Sequence, residues 1–320
     1  MKKTTPLIIL AGPTAVGKSA HSVELSRRIG GSVISADSMQ VYRGMDIGSA
    51  KIKPIETKGI PHYLIDILDP VEDFHVVKFQ ALAKEAMAEI AKNGRIPVLC
   101  GGTGFYIQAL LYNIDFTTQE KDEALRNQLL EFARKEGNEA LHQRLFSIDP
   151  EAAYAIPVNN VKRVIRAIEF YEASNGRRIS EHNRNERAKP PAYPVLYLVL
   201  NEPRERLYQK IDERVEHMLQ EGLVEEVRTL LESGVSMQTT AMQGLGYKET
   251  AAYLNGELTL EEAVRRIKRD SRHFAKRQLT WFKREPLARW IQKETYSYDE
   301  NAVADQIEAL ARDFLTAYID

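Results

Sequence analysis

The chain has 320 residues, of which 43% are hydrophobic and 28% charged, and its formal net charge is −1. A length beyond roughly 250–300 residues favours a core that carries an insertion or a second lobe. The single cysteine, Cys100, excludes an intrachain disulfide and a zinc site built from cysteines. No stretch approaches the roughly 20 apolar residues that cross a membrane, so we expect a cytoplasmic protein without a membrane partner.

Short apolar runs along the chain predict a buried parallel sheet. They are rich in β-branched residues and apolar on both faces, as expected of strands covered by helices on each side. The runs lie at 7–12, 32–37, 62–67, 95–102 and 193–201. Helical patterns at 20–30 and 76–94 alternate with them, and this alternation predicts a doubly wound α/β core.

The strand pattern disappears between about 115 and 191. Helical patterns occupy 122–137, 139–156 and 159–176 instead. We therefore predict an all-helical insertion domain at 115–191, within a core domain formed by 1–114 and 192–320.

Long helical patterns at 204–234 and 258–284 follow the last of the apolar runs. A short apolar segment at 288–292 predicts a final strand, and a closing helix covers about 301–318. The second long helix is strongly basic, because residues 265–284 hold nine Lys or Arg and one acid. Such a patch is either a solvated helix face or a footprint for a polyanion.

A phosphate-binding loop follows the first predicted strand. It matches G-x-x-x-x-G-K-[ST] between a strand and a helix, and its residues are Gly12, Pro13, Thr14, Ala15, Val16, Gly17, Lys18 and Ser19. Backbone N–H groups of such a loop bind phosphate, the lysine adds charge at the outer phosphates, and the Ser19 hydroxyl can ligate Mg²⁺. The motif predicts a P-loop NTPase-like fold and a bound di- or triphosphate. It is typical of nucleotide-binding and ATP-binding proteins, but it does not specify ATP.

Polar residues follow several of the other apolar runs. Asp37 ends the second run, and Thr103 lies within the glycine-rich segment 101–104 after the fourth. Because parallel strands end at one edge of the sheet, both residues should lie near the phosphate loop. Asp37 is then a candidate base or Mg²⁺ ligand, although Asp37 and Ser38 could instead cap a turn, and the glycines would let backbone or ligand approach closely. Asp66, after the third run, is either a Walker-B-like metal ligand or a turn residue.

Six motifs, in chain order, resemble the tRNA dimethylallyltransferase family, the tRNA adenosine N6-isopentenyltransferases. They are GPTAVGKS, SADSMQVYRGMDIGSAK, PHYLIDILDP, RIPVLCGGTGFY, GLGYKE and AKRQLTWFKR, and the match covers about residues 6 to 290. The resemblance implies transfer of a dimethylallyl group from dimethylallyl diphosphate to N6 of the adenosine adjacent to the anticodon (tRNA position 37). The substrates would be tRNAs that read codons starting with U, and diphosphate would be released.

The same resemblance implies roles for the candidate residues. The phosphate loop would grip the donor diphosphate, whose charge Lys18, Ser19 with Mg²⁺, and Arg214 would neutralise. Asp37 would take the proton from the attacking amine, and Thr103 would position the base or the donor. For Arg214, which lies in a helix rich in potential ion pairs, a purely structural role is the alternative.

The resemblance also implies contacts with the anticodon stem-loop of tRNA, partly from the insertion domain. The residues concerned are Asp37, Ser38, Met39, Gln40, Thr103, Arg126, Lys162, Arg163, Arg166, Lys276 and Arg277. Relatives often carry Gln-Arg at the positions of Lys162 and Arg163, which leaves the role of Lys162 open. Eukaryotic members add a C-terminal zinc finger that this sequence does not show, so we expect a bacterial-type enzyme, acting as a monomer.

Three other functions are compatible with parts of the sequence. The phosphate loop alone would suit a small-molecule kinase that transfers the γ-phosphate of ATP. A closer variant would prenylate a free adenine nucleotide. A non-catalytic RNA-binding module is the third, but it has no need for Asp37 and Thr103 beside the loop. The basic helix, the helical insertion and the motif at 35–51 favour an enzyme that acts on a large RNA.

Overall fold

A six-stranded sheet forms the centre of the computed structural model, which describes residues 5–116 and 122–319. Its strands pair in the order β3-β2-β4-β1-β5-β6, and every pairing is parallel. The strands are β1 (Leu7–Ala11), β2 (Gly31–Ser35), β3 (His62–Tyr63), β4 (Ile96–Gly101), β5 (Val195–Asn201) and β6 (Ala288–Gln292). The predicted α/β class, a P-loop-like parallel sheet flanked by helices, is confirmed.

Helices connect the strands and build a separate helical region. Before that region lie α1 (Lys18–Ile29), α2 (Val76–Lys92) and α3 (Gly104–Leu111). The helical region holds α4 (Glu123–Glu136), α5 (Asn138–Ile148), α6 (Pro150–Ala155), α7 (Val161–Ala173) and α8 (Ile179–Ala188). After it come α9 (Arg204–Gln220), α10 (Leu223–Glu232), α11 (Tyr247–Leu254), α12 (Leu260–Phe282) and α13 (Glu300–Ile319). Within residues 5–116 and 122–319, no helix is long and apolar enough to cross a membrane.

The chain divides into two compact units. The sheet unit runs up to Leu111 and resumes at Tyr193, and the helical unit is Tyr112–Ala192. In the described part of the helical unit the core is made only by its own helices, through buried side chains that include Leu129, Leu141 and Val164. A core of its own is what allows such a segment to be inserted into the sheet unit without interrupting that unit's packing.

The sheet core explains why the strands are apolar on both faces. All five residues of β1 are fully buried, since β4 and β5 pair with its two edges and helices cover its faces. Apolar side chains of α9, α12 and α13, among them Leu207, Ala275 and Ile307, belong to the same cluster. The central strand is thereby fixed, and the loop that follows it at the carboxyl edge starts from a rigid base.

Backbone conformation accounts for the differences from the predicted elements. The run at 62–67 gives only a two-residue strand, because Leu64 and Asp66 have left-handed φ values of 63° and 54°. The single helix predicted at 204–234 is broken into α9 and α10 at Gly222, whose φ is 103°. Similarly, Asp149 separates α5 from α6 and accepts a hydrogen bond from Ala152 N as the N-cap of α6.

Candidate active site at the carboxyl edge of the sheet

The phosphate loop leaves β1 through a glycine that no other residue can replace without a clash. Gly12 has a φ of 153°, and a Cβ placed there would lie 2.7 Å from the Leu200 carbonyl oxygen. Ala15 and Gly17 are also left-handed, with φ values of 65° and 92°. Helix α1 begins directly after Gly17, and this N-cap residue has no side chain that could cap the helix. Uncapped N–H groups at a helix N-terminus favour a bound anion.

Lys18 is a cation to which no acidic side chain of the described residues is hydrogen-bonded. Its Nζ donates to the Pro13 carbonyl oxygen at 2.9 Å. The pKa of Lys18 is lowered to about 8, mainly by burial and also by the charge of Arg214, although Cys100 and Asp37 act in the opposite direction. A bound anion would relieve this penalty, so the site is electrostatically prepared for phosphate.

Arg214, on α9, is a second desolvated cation in the same place. Burial lowers the pKa of this guanidinium below its usual value, and the negative charge of Asp37 opposes that effect. Among the residues that the structure describes, no carboxylate forms an ion pair with Arg214. A structural role for Arg214 would therefore have to rest on something other than an ion pair.

Two cavities adjoin at this edge of the sheet. The first, of about 70 Å³, is lined by residues that include Lys18, Ser19 and Gln40. The second, of about 360 Å³, is lined by Ser38, Met39, Thr103, Arg277 and several apolar side chains of α9 and α12. Both cavities share Thr14, Asp37, Arg214 and Phe274. The phosphate loop is thus connected to a larger, mainly apolar cavity through one carboxylate and one guanidinium.

Asp37 both caps a turn and lines the two cavities. Its Oδ1 accepts a hydrogen bond from Met39 N at 2.8 Å. This is the geometry expected if Asp37 caps a turn. Its Oδ2 has no hydrogen-bond partner among the described residues. The capping bond holds the side chain in place, and the second oxygen stays available for a ligand.

The glycine-rich segment after β4 is packed against α12. A Cβ on Gly102 would lie 2.1 Å from Gln278 Nε2, and one on Gly104 would lie 2.1 Å from Trp281 Cδ1. Because these glycines have no side chain, Gln278 and Trp281 of α12 can pack directly against the backbone of this segment. The atoms that closely approach this backbone are therefore protein atoms. Thr103 itself is partly buried and lines the larger cavity.

Gln278 is a site residue that the motifs alone did not single out. Its Oε1 accepts from Thr14 N at 2.9 Å, and its Nε2 donates to the Gly102 carbonyl oxygen at 3.0 Å. One buried amide thus joins the phosphate loop to the glycine-rich segment. The sequence did carry a signal, since Gln278 lies one helical turn from both Phe274 and Phe282 and is a polar residue in an apolar stripe.

Two ionic anchors hold the segment that follows Asp37. Glu226, on α10, accepts hydrogen bonds from the backbone N–H groups of residues 46 to 48 at 2.7–3.0 Å and from the Tyr247 hydroxyl at 2.7 Å. Lys51 is buried and lies 2.5 Å from both Asp46 and Asp66. Asp66 lines neither cavity and pairs with Lys51, which supports a structural role for Asp66 and leaves the metal-ligand interpretation an untested prediction.

Most of the basic residues on α12 are tied to carboxylates of the same chain. Arg265 and Arg266 pair with Glu262, Lys268 with Glu216, Arg269 with Asp270, and Arg272 with Asp212. Lys276 and Arg277 are exposed and have no such partner in the described part of the chain. Arg277 also lines the larger cavity. These two residues are the part of the basic helix that remains available to a polyanion.

The remaining predicted tRNA contacts lie in the helical unit. Arg126 forms a two-pronged ion pair with Glu169, with N–O distances of 2.8 and 2.9 Å. Arg166 is partly buried near this pair, and burial lowers the pKa of its guanidinium below the usual value. Lys162 and Arg163 are exposed at the start of α7.

A parallel sheet with a phosphate loop after its first strand and a carboxylate after its second defines a P-loop α/β protein. The family model described as IPP transferase matches residues 40–285, and the model described as isopentenyl transferase matches residues 5–72. Because the first match covers more than half of the chain, the protein belongs to the IPP transferase family, a family of transferases. The family resemblance predicted from the motifs is confirmed.

Individual relatives match along nearly the whole chain. The tRNA dimethylallyltransferase of Lachnoclostridium phytofermentans is 53% identical over 305 residues, which cover 95% of this chain and 97% of the relative. That of Acetivibrio thermocellus is 46% identical over 297 residues, covering 93% and 95%. The solved tRNA delta(2)-isopentenylpyrophosphate transferase of Staphylococcus epidermidis is 40% identical, with a TM-score of 0.71 over 97% of this chain and 99% of that one. A solved eukaryotic dimethylallyltransferase, described as acting on tRNA, is 29% identical, with a TM-score of 0.83 over 98% of this chain and 80% of that one.

Proposed function

We propose that the protein transfers a dimethylallyl group from dimethylallyl diphosphate to N6 of the adenosine next to the anticodon of tRNA, and releases diphosphate. The observation that carries the proposal is the junction of the two cavities at Asp37 and Arg214. A phosphate loop on one side and a larger cavity on the other suit two substrates that meet at this junction. The relatives named above support the choice of donor and acceptor.

The phosphate loop would bind and stabilise the diphosphate leaving group. In the transfer, the bond between the allylic carbon and the diphosphate oxygen breaks, and its electron pair leaves with the diphosphate. Lys18 and Arg214 supply positive charge where this negative charge develops, in a site partly shielded from water. Electrostatic stabilisation of a departing charge is the largest contribution that such a site makes to catalysis.

The acceptor amine requires a base and correct placement. Its lone pair forms the new carbon–nitrogen bond, and the proton released from N6 passes to Asp37. Asp37 is the only acidic side chain lining either cavity among the described residues. Thr103 would position the adenine or the donor from the larger cavity. Because the reaction occurs below the surface, the base must leave its stack to enter.

The residues of the first cavity fit a Mg²⁺ ion held largely by the donor. No group of three or more His, Cys, Asp or Glu residues that could form a metal cage occurs within residues 5–116 and 122–319. Mg²⁺ commonly keeps several waters and binds to one or two protein groups plus substrate phosphates. The exposed hydroxyl of Ser19 would hold it, with Asp37 on the same cavity wall. When bound, the ion would neutralise charge on the diphosphate.

Exposed cations in both units would bind the tRNA backbone. Lys276 and Arg277 in the sheet unit, and Lys162 and Arg163 in the helical unit, lack carboxylate partners among the described residues. Arg126 and Arg166 are expected to contribute beside them, and Ser38, Met39 and Gln40 to contact the target nucleotide. The predicted monomeric state and cytoplasmic location stay predictions.

The proposed function is tested by incubating the purified protein with Mg²⁺, tRNA and dimethylallyl diphosphate labelled in the allyl group. We expect label in the RNA, and none when tRNA is replaced by free adenine nucleotide. Label in the free nucleotide but not in tRNA would contradict the choice of acceptor. A parallel incubation with γ-labelled ATP should transfer no phosphate to either acceptor.

A further inference from the structure

A buried lysine contacts the backbone of the phosphate loop and lines neither of the two cavities. Lys293 opens the short 3-10 helix Lys293–Tyr296 that follows β6, and its side chain is 1% exposed. Its Nζ donates to the Val16 carbonyl oxygen at 3.3 Å and to Glu300 Oε1 at 2.5 Å. It also approaches Gly17, since a Cβ there would lie 3.5 Å from the same nitrogen. Lys293 lies outside the range 40–285 that the IPP transferase model matches.

Glu300 connects this lysine to the helix that the phosphate loop precedes. It is the first residue of α13, and its Oε2 lies 2.8 Å from His21 Nε2 on α1. Burial lowers the pKa of His21 below its usual value although Glu300 opposes the shift, so the imidazole is neutral at neutral pH and donates from Nε2. Desolvation opposes ionisation of Glu300, but the hydrogen bond and charge of Lys293, with a further hydrogen bond from His21, outweigh it and lower the pKa of this carboxyl.

The backbone of the loop explains why a donor is needed at this place. For the N–H groups of a phosphate loop to converge on an anion, carbonyl groups of the same segment must point away from it. Val16 is fully buried, so its outward carbonyl cannot be satisfied by bulk water and needs an internal donor. An ammonium group is a strong donor for that purpose, because hydrogen bonds from charged groups are stronger than neutral ones.

We propose that Lys293 is a positioning residue for the phosphate loop. Glu300 and His21 hold the lysine, the lysine holds the Val16 carbonyl, and the peptide between Val16 and Gly17 is thereby fixed with its N–H available to a phosphate oxygen. The last strand and the closing helix are then functional parts of the diphosphate site. The ligand's identity as the diphosphate of a prenyl donor rests on the proposed function.

The test measures binding of inorganic diphosphate with Mg²⁺ by calorimetry, in the absence of tRNA. For Lys293→Met we expect affinity to fall by about 10-fold or more, as for loss of a charged hydrogen bond. The KM for the prenyl donor should rise in parallel, whereas the Kd for tRNA should change by less than about 2-fold. The control is Lys92→Met at the exposed end of α2, which should bind diphosphate like the wild type.

A second variant covers the case in which Lys293→Met does not fold. Glu300→Gln changes a half-exposed carboxylate and keeps one acceptor oxygen, so it should fold and bind diphosphate less tightly than the wild type, because Lys293 is less firmly held. Unchanged diphosphate affinity in a folded Lys293→Met protein, or unchanged or tighter binding in Glu300→Gln, would overturn the proposal. Failure of the wild type to prenylate tRNA, with diphosphate binding intact, would instead count against the proposed function alone.

Discussion

Asp37 and Arg214 carry opposite charges where the two cavities meet, yet they do not form an ion pair in the described structure. In an ion pair, each of the two charges would be neutralised by the other. Kept apart, the carboxylate can accept a proton and the guanidinium can meet a phosphate. At the scale of single residues, the proposed reaction depends on Asp37 acting as a base while Arg214 binds phosphate.

Replacing the base should affect turnover far more than binding. We expect Asp37→Asn to lower kcat by roughly 10²- to 10⁴-fold, which is the usual contribution of a general base. The asparagine can still accept from Met39 N, so the turn and the KM for the donor should be largely preserved. Steady-state kinetics check this, with the exposed Asp69→Asn as the control. Wild-type turnover in Asp37→Asn would remove Asp37 from the role of base.

Lys18 should make diphosphate binding depend on pH. Its folded-state pKa of about 8 means that the free protein holds this charge below pH 8 and loses it above. Affinity should therefore fall as pH rises through about 8, although bound diphosphate will shift the midpoint upward. Calorimetry from pH 6.5 to about 9.5 on wild type and Lys18→Met tests this, because the variant reports the titration of diphosphate itself. If the diphosphate affinities of the two proteins changed with pH in the same way, the titration could not be assigned to Lys18.

The same lysine should cost stability in the absence of a ligand. A base whose pKa is depressed on folding destabilises the folded state at every pH below its folded pKa, and the penalty is removed as pH rises from about 8 to the unfolded value near 10.5. At pH 7 the full penalty is present, so Lys18→Met should melt a few degrees above the wild type. Thermal unfolding at pH 7 without diphosphate measures this. A lower Tm would show that the bond to the Pro13 carbonyl outweighs the desolvation of the charge.

At the scale of elements, α10 holds the segment that presents Asp37. Glu226→Ala should leave three backbone N–H groups and the Tyr247 hydroxyl without their acceptor. We expect a loss of about 2–4 kcal/mol in the free energy of unfolding. Denaturant titration of Glu226→Ala beside Glu225→Ala, an exposed neighbour on the same helix, checks the value. Equal stability of the two variants would show that the anchor does not matter.

Elements with a strong local pattern were predicted well from the sequence. β1, β4, β5 and α12 were found because strands buried on both faces are continuously apolar and a long amphipathic helix repeats every 3.6 residues. The helix α11 was missed because it is short and begins after a left-handed glycine, Gly246. Local propensity could not indicate the left-handed residues that shorten β3 either.

Site residues that belong to a motif were predicted, and those that support the motif from elsewhere were not. Lys18, Asp37 and Thr103 all follow strands of a parallel sheet, so topology alone brings them to one edge. Glu226 and Lys293 act on that edge from elements far along the chain. Tertiary packing determines which residues Glu226 and Lys293 contact. Because such contacts follow no fixed spacing along the chain, the sequence alone does not reveal them.

At the scale of the whole molecule, a net charge of −1 conceals cations in both compact units that have no carboxylate partner among the described residues. Double replacement Lys162→Ala with Arg163→Ala should weaken tRNA binding and reduce the slope of log Kd against log salt by about 1–2. The KM for the donor should not change. Filter binding across a salt series measures the slope, with Lys135→Ala, at an exposed position of α4, as the control. An unchanged slope would remove these two residues from the RNA interface.

The central claim is that the phosphate loop holds the leaving group of a prenyl transfer to one adenosine of tRNA. The most direct measurement is nuclease digestion and mass spectrometry of tRNA after incubation with the protein, Mg²⁺ and dimethylallyl diphosphate. A transcript with guanosine in place of the adenosine adjacent to the anticodon is the control. We expect one added dimethylallyl group on that adenosine and none in the control transcript. Unmodified tRNA, or modification at another nucleotide, would contradict it.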